Sequence, residues 1–227
     1  EANEAAIKIA RKYHSSRNNP RNEIVSFKNS FHGRSILNIS LGNSEMHRSG
    51  FEPLMPGIKQ GEFNDISKLK ELISDQTAAV IVEPVQGEAG VYEASKDFMA
   101  ELREMTQKKG VLLIVDEVQS GVGRMGVIYG YMNYDIEPDI VTSAKGLGGG
   151  IPIGATLTTK NIGECMQPGT HGSTFGGNPI ACAVANEVIR IVSDSNFLKN
   201  VLEKEKLFIE LLSELKTKGI FSDIRSS

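Results

Sequence analysis

Three apolar runs in this sequence end on groups able to do chemistry. "AAVIV" is followed by Glu83 and, after Pro84, by "QGEAG" with Glu88. "VLLIV" is followed by Asp116, Glu117 and Gln119, and "DIVTSA" by one lysine, Lys145, with Gly146, Gly148, Gly149 and Gly150 behind it. A lysine costs free energy when it leaves water, and glycines weaken regular structure, so the pairing of one ammonium with so much bare backbone asks for a reason. Schiff-base chemistry is one. The amine must be neutral to attack an aldehyde, and partial burial lowers its pKa toward that state. The glycines would let backbone press against a ligand. Pyridoxal phosphate needs a lysine, an acidic partner for its ring nitrogen, a phosphate site and a surface for its ring. Residue types nominate Lys145 and Asp116 for the first two and no more. The plain alternatives stay open: a solvated loop lysine, and a turn-capping aspartate.

Other motifs carry less. A P-loop places its glycines before a Lys-Ser/Thr pair, whereas here they follow the lysine. "GVGRMG", Gly121 to Gly126, matches G-x-G-x-x-G, but "DEVQS" separates it from its strand and the following "VIYGYMNYDIEPD" makes a poor helix. It reads as a glycine-rich loop wrapping a neighbouring site. His14 reads as a solvent-facing helix residue, His47 as a loop residue, and His32 and His171 as orienting or packing groups. Met99, Met105 and Met132 read as core filling. No His/Cys/Asp spacing suggests a metal.

The elements that must position these groups alternate. "NEIVSF", "TAAVIVEP", "VLLIVDE", "PDIVTSA" and "PIGATLTT" read as strands. "EANEAAIKIARKYH" reads as an amphipathic helix burying Ala2, Ala5, Ala6, Ile9 and Ala10. "SKDFMAELREMTQKK" is a helix stopped by Gly110, and "NPIACAVANEVIRIVSD" a helix with Asn178 as N-cap and Pro179 at its first position. A longer helix runs from Asn196 to Gly219 with a solvated, charge-alternating face, and "GIFSDIRSS" opens what reads as a further strand. Near-continuous apolar strands between helices predict an α/β fold, a mostly parallel sheet with helices on both faces and ligands at the carboxyl ends of its strands.

Composition is that of a globular chain: 227 residues, 40% hydrophobic, 23% charged, net charge −3. No Lys/Arg block marks a nucleic-acid or membrane surface, and no apolar run approaches the ~18 residues of a transmembrane helix. The two cysteines, Cys165 and Cys182, fit a reducing compartment. The two ends read as those of a segment from a longer protein.

Taken together, "FHGRS", "VIVEPVQGEAGV", "LLIVDEVQSGVGRMG", "PDIVTSAKGLGGGIPIGA" and "HGSTFGGNPIACAVA" resemble the class III, ornithine/acetylornithine-type aminotransferases, from Glu1 to about Gly219. The resemblance implies the aspartate-aminotransferase-like type I fold, pyridoxal 5'-phosphate as cofactor and a homodimer. Residues 1–195 would be a large cofactor domain lacking its N-terminal part, and 196–227 a helix leading into a truncated small domain. Lys145 resembles the Schiff-base lysine, Asp116 the partner of the ring nitrogen and Gln119 the residue beside the ring hydroxyl. Phe31 resembles the aromatic stacked on the ring. Glu117 and Val118 lie in the same cofactor-lining segment. Arg34 resembles the arginine gripping a substrate carboxylate, with Ser173 near substrate and Glu88 matching a glutamate that pairs with an arginine beyond this chain. Thr174 resembles the threonine that reaches the neighbouring subunit's phosphate.

The implied reaction is ping-pong transfer of an amino group from N2-acetylornithine to 2-oxoglutarate, in arginine biosynthesis. Ornithine, succinyldiaminopimelate and 4-aminobutyrate are the alternative donors. A bacterial source would imply cytoplasm, a eukaryotic one the mitochondrial matrix. The isolated segment is expected to be inactive. A non-catalytic relative of the same fold and a dinucleotide-dependent oxidoreductase are the competing readings.

Overall fold

The computed structural model describes residues 1–226. Its helices are α1 (Ala2–Ser15), α2 (Ile36–Leu41), α3 (Glu45–Arg48), α4 (Ile66–Leu72), α5 (Lys96–Lys109), α6 (Lys160–Gly163), α7 (Pro179–Val192) and α8 (Ser195–Thr217). Its strands are β1 (Glu23–Phe27), β2 (Ile58–Gly61), β3 (Thr77–Val82), β4 (Val85–Gln86), β5 (Tyr92–Glu93), β6 (Leu112–Asp116), β7 (Ile140–Ser143) and β8 (Ala155–Thr158). Six strands form one sheet in the order β2-β1-β3-β6-β7-β8, parallel except for the last pair, β7 and β8. β4 and β5 make a separate antiparallel pair.

The central strands read as apolar runs because both their faces are covered. Along β3, Ala79 and Ile81 join a core with Ile7 and Ala10 of α1, while Val80 and Val82 join another with Phe98, Met99 and Leu102 of α5. Along β6, Leu112 and Ile114 divide from Leu113 and Val115 in the same way. This period-two division between two cores is what a doubly covered parallel sheet requires. Strand order reverses between β1 and β3, the place where open α/β sheets leave a crevice at the carboxyl ends.

Local signals act as expected at several ends. Gly110 closes α5 in the left-handed conformation, φ 60°. Asn178 caps α7 by accepting from the Ala181 N–H, with Pro179 in the first turn.

Other expectations are corrected. His14 is buried, and its Nε2 lies 3.0 Å from the carbonyl of Ala78. Burial there lowers its pKa. Ile7 joins the buried face of α1, while Ala5 is only half-buried. Met132 is exposed at 43%, although Met99 and Met105 do fill the core. The segment after α8 forms no strand among the described residues. β2, α2, α3, α4 and the β4–β5 pair carry too little periodicity to be read from sequence; β2 buries only Gly61.

Several glycines of these loops lie tight against protein. A Cβ at Gly123 would meet Val192 at 2.5 Å and one at Gly126 would meet Leu202 at 2.3 Å, so "GVGRMG" lies against α7 and α8. A Cβ at Gly148 or Gly149 would lie 3.0 Å from Ile153 or Val188, so these glycines let the lysine turn pack on its own chain. Gly150, with φ +111° and no neighbour within 4 Å of an added Cβ, instead lines the cleft beside Lys145.

Candidate active site

The parallel register aligns the strand ends. Val82 of β3 pairs with Val115 of β6, and Asp116 pairs with Thr142 of β7. Glu83, Asp116 and, three residues past Thr142, Lys145 therefore leave the sheet from adjacent strands. The fourth contributor is the loop after β1, which carries Phe31, His32 and Arg34.

Asp116 is the centre of this group. It is 3% exposed, and three donors converge on its carboxylate. Oδ2 accepts from Asn3 Nδ2 at 2.7 Å and from His32 Nδ1 at 2.7 Å. Oδ1 accepts from the backbone N–H of Val118 at 3.0 Å, with Thr142 Oγ1 at 3.4 Å. Burial works against a charged ring at His32, but the bond to Asp116 and the charges of Asp116 and Glu83 outweigh it, and the net pKa is raised. This gives His32 the orienting role read for it in the sequence. Val118 contributes its N–H.

Glu83, noted in the sequence only as a strand-end carboxylate, belongs to the same group. Its Oε2 accepts from the backbone N–H of Phe31 at 3.0 Å. Burial pushes its pKa up to about 7; His32, the Phe31 N–H and the charge of Lys145 pull the other way, while Asp116 adds to the rise. The β1 loop is thus tied to three elements: to β3 through Glu83, to β6 through His32, and to α1 through Asn3, which donates to the His32 carbonyl at 2.8 Å. Arg34 is exposed and stacks on Phe31, its Cζ 5.3 Å from the ring centroid. Phe31 meets His47 edge to face at 5.8 Å.

Glu117 faces away from this group. Its fully buried carboxylate accepts from Ser120 Oγ at 2.6 Å and from the Tyr131 N–H at 2.7 Å, and burial raises its pKa despite those bonds. It anchors the loop after β6 rather than lining a ligand surface. Gln119 lies against Gly87 of "QGEAG", and its Oε1 is buried without a partner. Glu88 on that loop is exposed.

Lys145 is exposed, which corrects the expected partial burial. Its φ is 43°, a left-handed conformation that costs a non-glycine residue about 1–3 kcal/mol and marks a position held by its surroundings. It opens onto a broad cleft of ≈ 1650 Å³ that is also lined by α1, by His171, and by the exposed Ser173 and Thr174. The structure therefore brings Asp116, His32, Phe31 and Glu83 into one bonded group within reach of the Lys145 charge. Ser173 and Thr174 share a cleft with the lysine.

Asn3 and Thr142 carry no sequence motif of their own, yet Asn3 falls on the stripe Asn3, Ile7, Ala10, His14, all buried. That i, i+4, i+7, i+11 spacing was the available signal for both Asn3 and His14. Among the described residues no cluster could hold a metal ion, and no helix is long and apolar enough to cross a membrane.

Comparison with known proteins shows the family. The model of the aminotransferase class-III family matches residues 1–227. A succinylornithine transaminase of Salmonella newport (strain SL254) is 51% identical over 99% of this chain and 56% of its own length. The crystal structure of N-acetylornithine aminotransferase from Stenotrophomonas maltophilia K279a is 35% identical, with a TM-score of 0.80 over 99% of this chain and 54% of that one. An amine transaminase from an uncultivated Pseudomonas species, solved in its PLP-bound form, is 31% identical, with a TM-score of 0.92 over 100% of this chain and 58% of that one. The chain spans about half the length of the relatives it matches. With the family model running from end to end and the strand-end groups arranged as described, the chain belongs to the class-III aminotransferases, a family of pyridoxal-phosphate-dependent enzymes.

Proposed function

We propose that this chain is the cofactor-binding part of a transaminase whose amino donor is an N2-acylated ornithine and whose acceptor is 2-oxoglutarate. N2-acetylornithine is the donor favoured by the motifs "SAKGLGGGIPIGA" and "GTHGSTFGGNPIACAVA", giving N-acetylglutamate 5-semialdehyde and glutamate in arginine biosynthesis. The 51% identity to a succinylornithine transaminase favours N2-succinylornithine as a second reading. One observation carries the transaminase reading: a buried carboxylate, Asp116, held by donors at both oxygens one strand away from Lys145.

The residues present suit the cofactor. Gln119 Oε1 is a buried acceptor without a partner, and the Asp116 carboxylate is fixed rather than free to rotate. When bound, pyridoxal phosphate supplies an electron sink for a breaking C–H bond. Asp116 would hold the ring nitrogen's proton, and Gln119 would face the ring hydroxyl. Phe31, Val118 and the loop anchored by Glu117 would shape the ring's surroundings. Lys145, exposed at the cleft, has the reach to carry a proton at Nζ as base and then acid. Arg34 offers a planar fork for the donor's α-carboxylate that a lysine could not reproduce.

Ser173 would lie beside substrate, and Glu88 would answer an arginine supplied from outside this chain. Thr174 supports a homodimer in which it completes the partner's phosphate site. Residues 1–195 would form the large domain, and 196–227 the start of the small one. The bacterial relatives point to cytoplasm.

Borohydride reduction of the full-length protein with pyridoxal phosphate, followed by peptide mass mapping, tests the reading. A phosphopyridoxyl group confined to Lys145 supports it, and scattered or absent labelling overturns it. Relative kcat/KM for acetyl-, succinyl- and unacylated ornithine then decides the donor.

A further inference from the structure

We infer that Asn3 is a positioning residue that keeps one acceptor site of the Asp116 carboxylate open by drawing the hydroxyl proton of Thr142 away from it. The inference rests on the transaminase reading, in which that open site is where a ring N–H would bind.

A carboxylate offers about four acceptor sites, two per oxygen. Both sites of Oδ2 are taken, by Asn3 Nδ2 and His32 Nδ1, each at 2.7 Å. Oδ1 accepts from the Val118 N–H at 3.0 Å. The remaining site has one contender, Thr142 Oγ1, 3.4 Å away. A threonine hydroxyl has a single proton to give, and a shorter acceptor stands beside it: Asn3 Oδ1, at 2.7 Å. The proton goes to Asn3, and Oδ1 of Asp116 keeps a site for another donor.

The orientation of the Asn3 amide follows from its partners. Its Nδ2 faces two acceptors, Asp116 Oδ2 and the His32 carbonyl, while its Oδ1 faces a hydroxyl. The reverse orientation would set a carbonyl oxygen against two acceptors. Asn3 is 4% exposed and Thr142 fully buried. In such a place a polar atom that loses its partner takes the next available one or remains unpaired at a cost. For Thr142 without Asn3, the next acceptor is Asp116 Oδ1. Aspartate would accept from Thr142 but could not donate to Asp116, and alanine would do neither.

The test is a double-mutant cycle of Asn3→Ala and Thr142→Val in the full-length protein, read as the Kd for pyridoxal phosphate by absorbance titration. Melting temperatures of the apoproteins are measured alongside to record packing losses. Thr142→Val alone leaves the open site untouched and should bind within about threefold of wild type, whereas Asn3→Ala should bind roughly tenfold or more weakly. Adding Thr142→Val to Asn3→Ala removes the competing proton and should tighten binding by at least about threefold, against the trend of the melting temperatures. A purely structural role predicts that the second substitution leaves binding as weak or weakens it further; either result, or wild-type affinity in Asn3→Ala, overturns the inference. If Asn3→Ala does not fold, Asn3→Leu, which keeps the shape and offers neither donor nor acceptor, takes its place in the cycle with the same outcomes. Absent labelling of wild-type Lys145 would remove the functional reading itself. Labelling without rescue in the cycle would remove only the role of Asn3.

Discussion

Burial and the neighbouring charges oppose each other at Glu83, and an amide substitution isolates its part in the titration of the group around Asp116. Its folded pKa of about 7 stands above the ordinary 4.5. Between those values the folded chain holds more protons at this site than the unfolded chain, so its contribution to stability is present at low pH and lost as pH rises toward 7. Glu83→Gln keeps an oxygen for the Phe31 N–H and removes the titration. The difference in melting temperature, variant minus wild type, should therefore grow from about pH 5 to pH 8; a flat difference would place the Glu83 carboxyl in water. Asp116→Asn tests the neighbouring carboxylate differently. Three donors, from Asn3, His32 and Val118, converge on two oxygens, and an amide offers only one. The full-length variant should lose about 100-fold or more in kcat/KM, and an unchanged rate would take Asp116 out of the chemistry.

At the scale of elements, the glycines after Lys145 divide into those the fold requires and those it does not. Gly149 has φ +56° and its added Cβ would sit 3.0 Å from Val188 of α7, whereas Gly172 has open space around it. Gly149→Ala should cost about 1–2 kcal/mol in chemical denaturation, and Gly172→Ala should stay within about 0.5 kcal/mol. Equal effects would mean that the turn does not depend on packing against α7. The same contrast explains what was legible in the sequence. Strands buried on both faces leave apolar runs, so β3, β6 and β7 and the groups at their ends, Glu83, Asp116 and Lys145, could be read directly. The purpose of the glycines could not, because Val188 lies 39 positions from Gly149 in the chain. Asn3 was hidden for a related reason. The stripe it shares with Ile7, Ala10 and His14 marks it as buried, but its partners Asp116 and Thr142 are 113 and 139 residues away and leave no trace in that spacing. His14 shares a stripe with Ile7 and Ala10, and that position buries it although its residue type favours solvent.

For the whole molecule, the proposed homodimer makes a prediction that no single-chain account shares. Ser173 and Thr174 are exposed on the cleft that holds Lys145, and the bonded group around Asp116 includes neither. If Thr174 serves the partner's phosphate site, Lys145→Ala and Thr174→Ala damage different halves of a shared site. A hybrid dimer then carries one site with both defects and one site with neither. Subunits of full-length Lys145→Ala and Thr174→Ala, unfolded, mixed in equal amounts and refolded together, should form about half hybrids and recover about one quarter of wild-type turnover. Each variant refolded alone should stay near its own low level. If Thr174 acts within its own chain, every site in the mixture keeps at least one defect and no recovery occurs. The outcome turns on which chain supplies the hydroxyl, so it separates a dimer that shares its sites from one that merely associates.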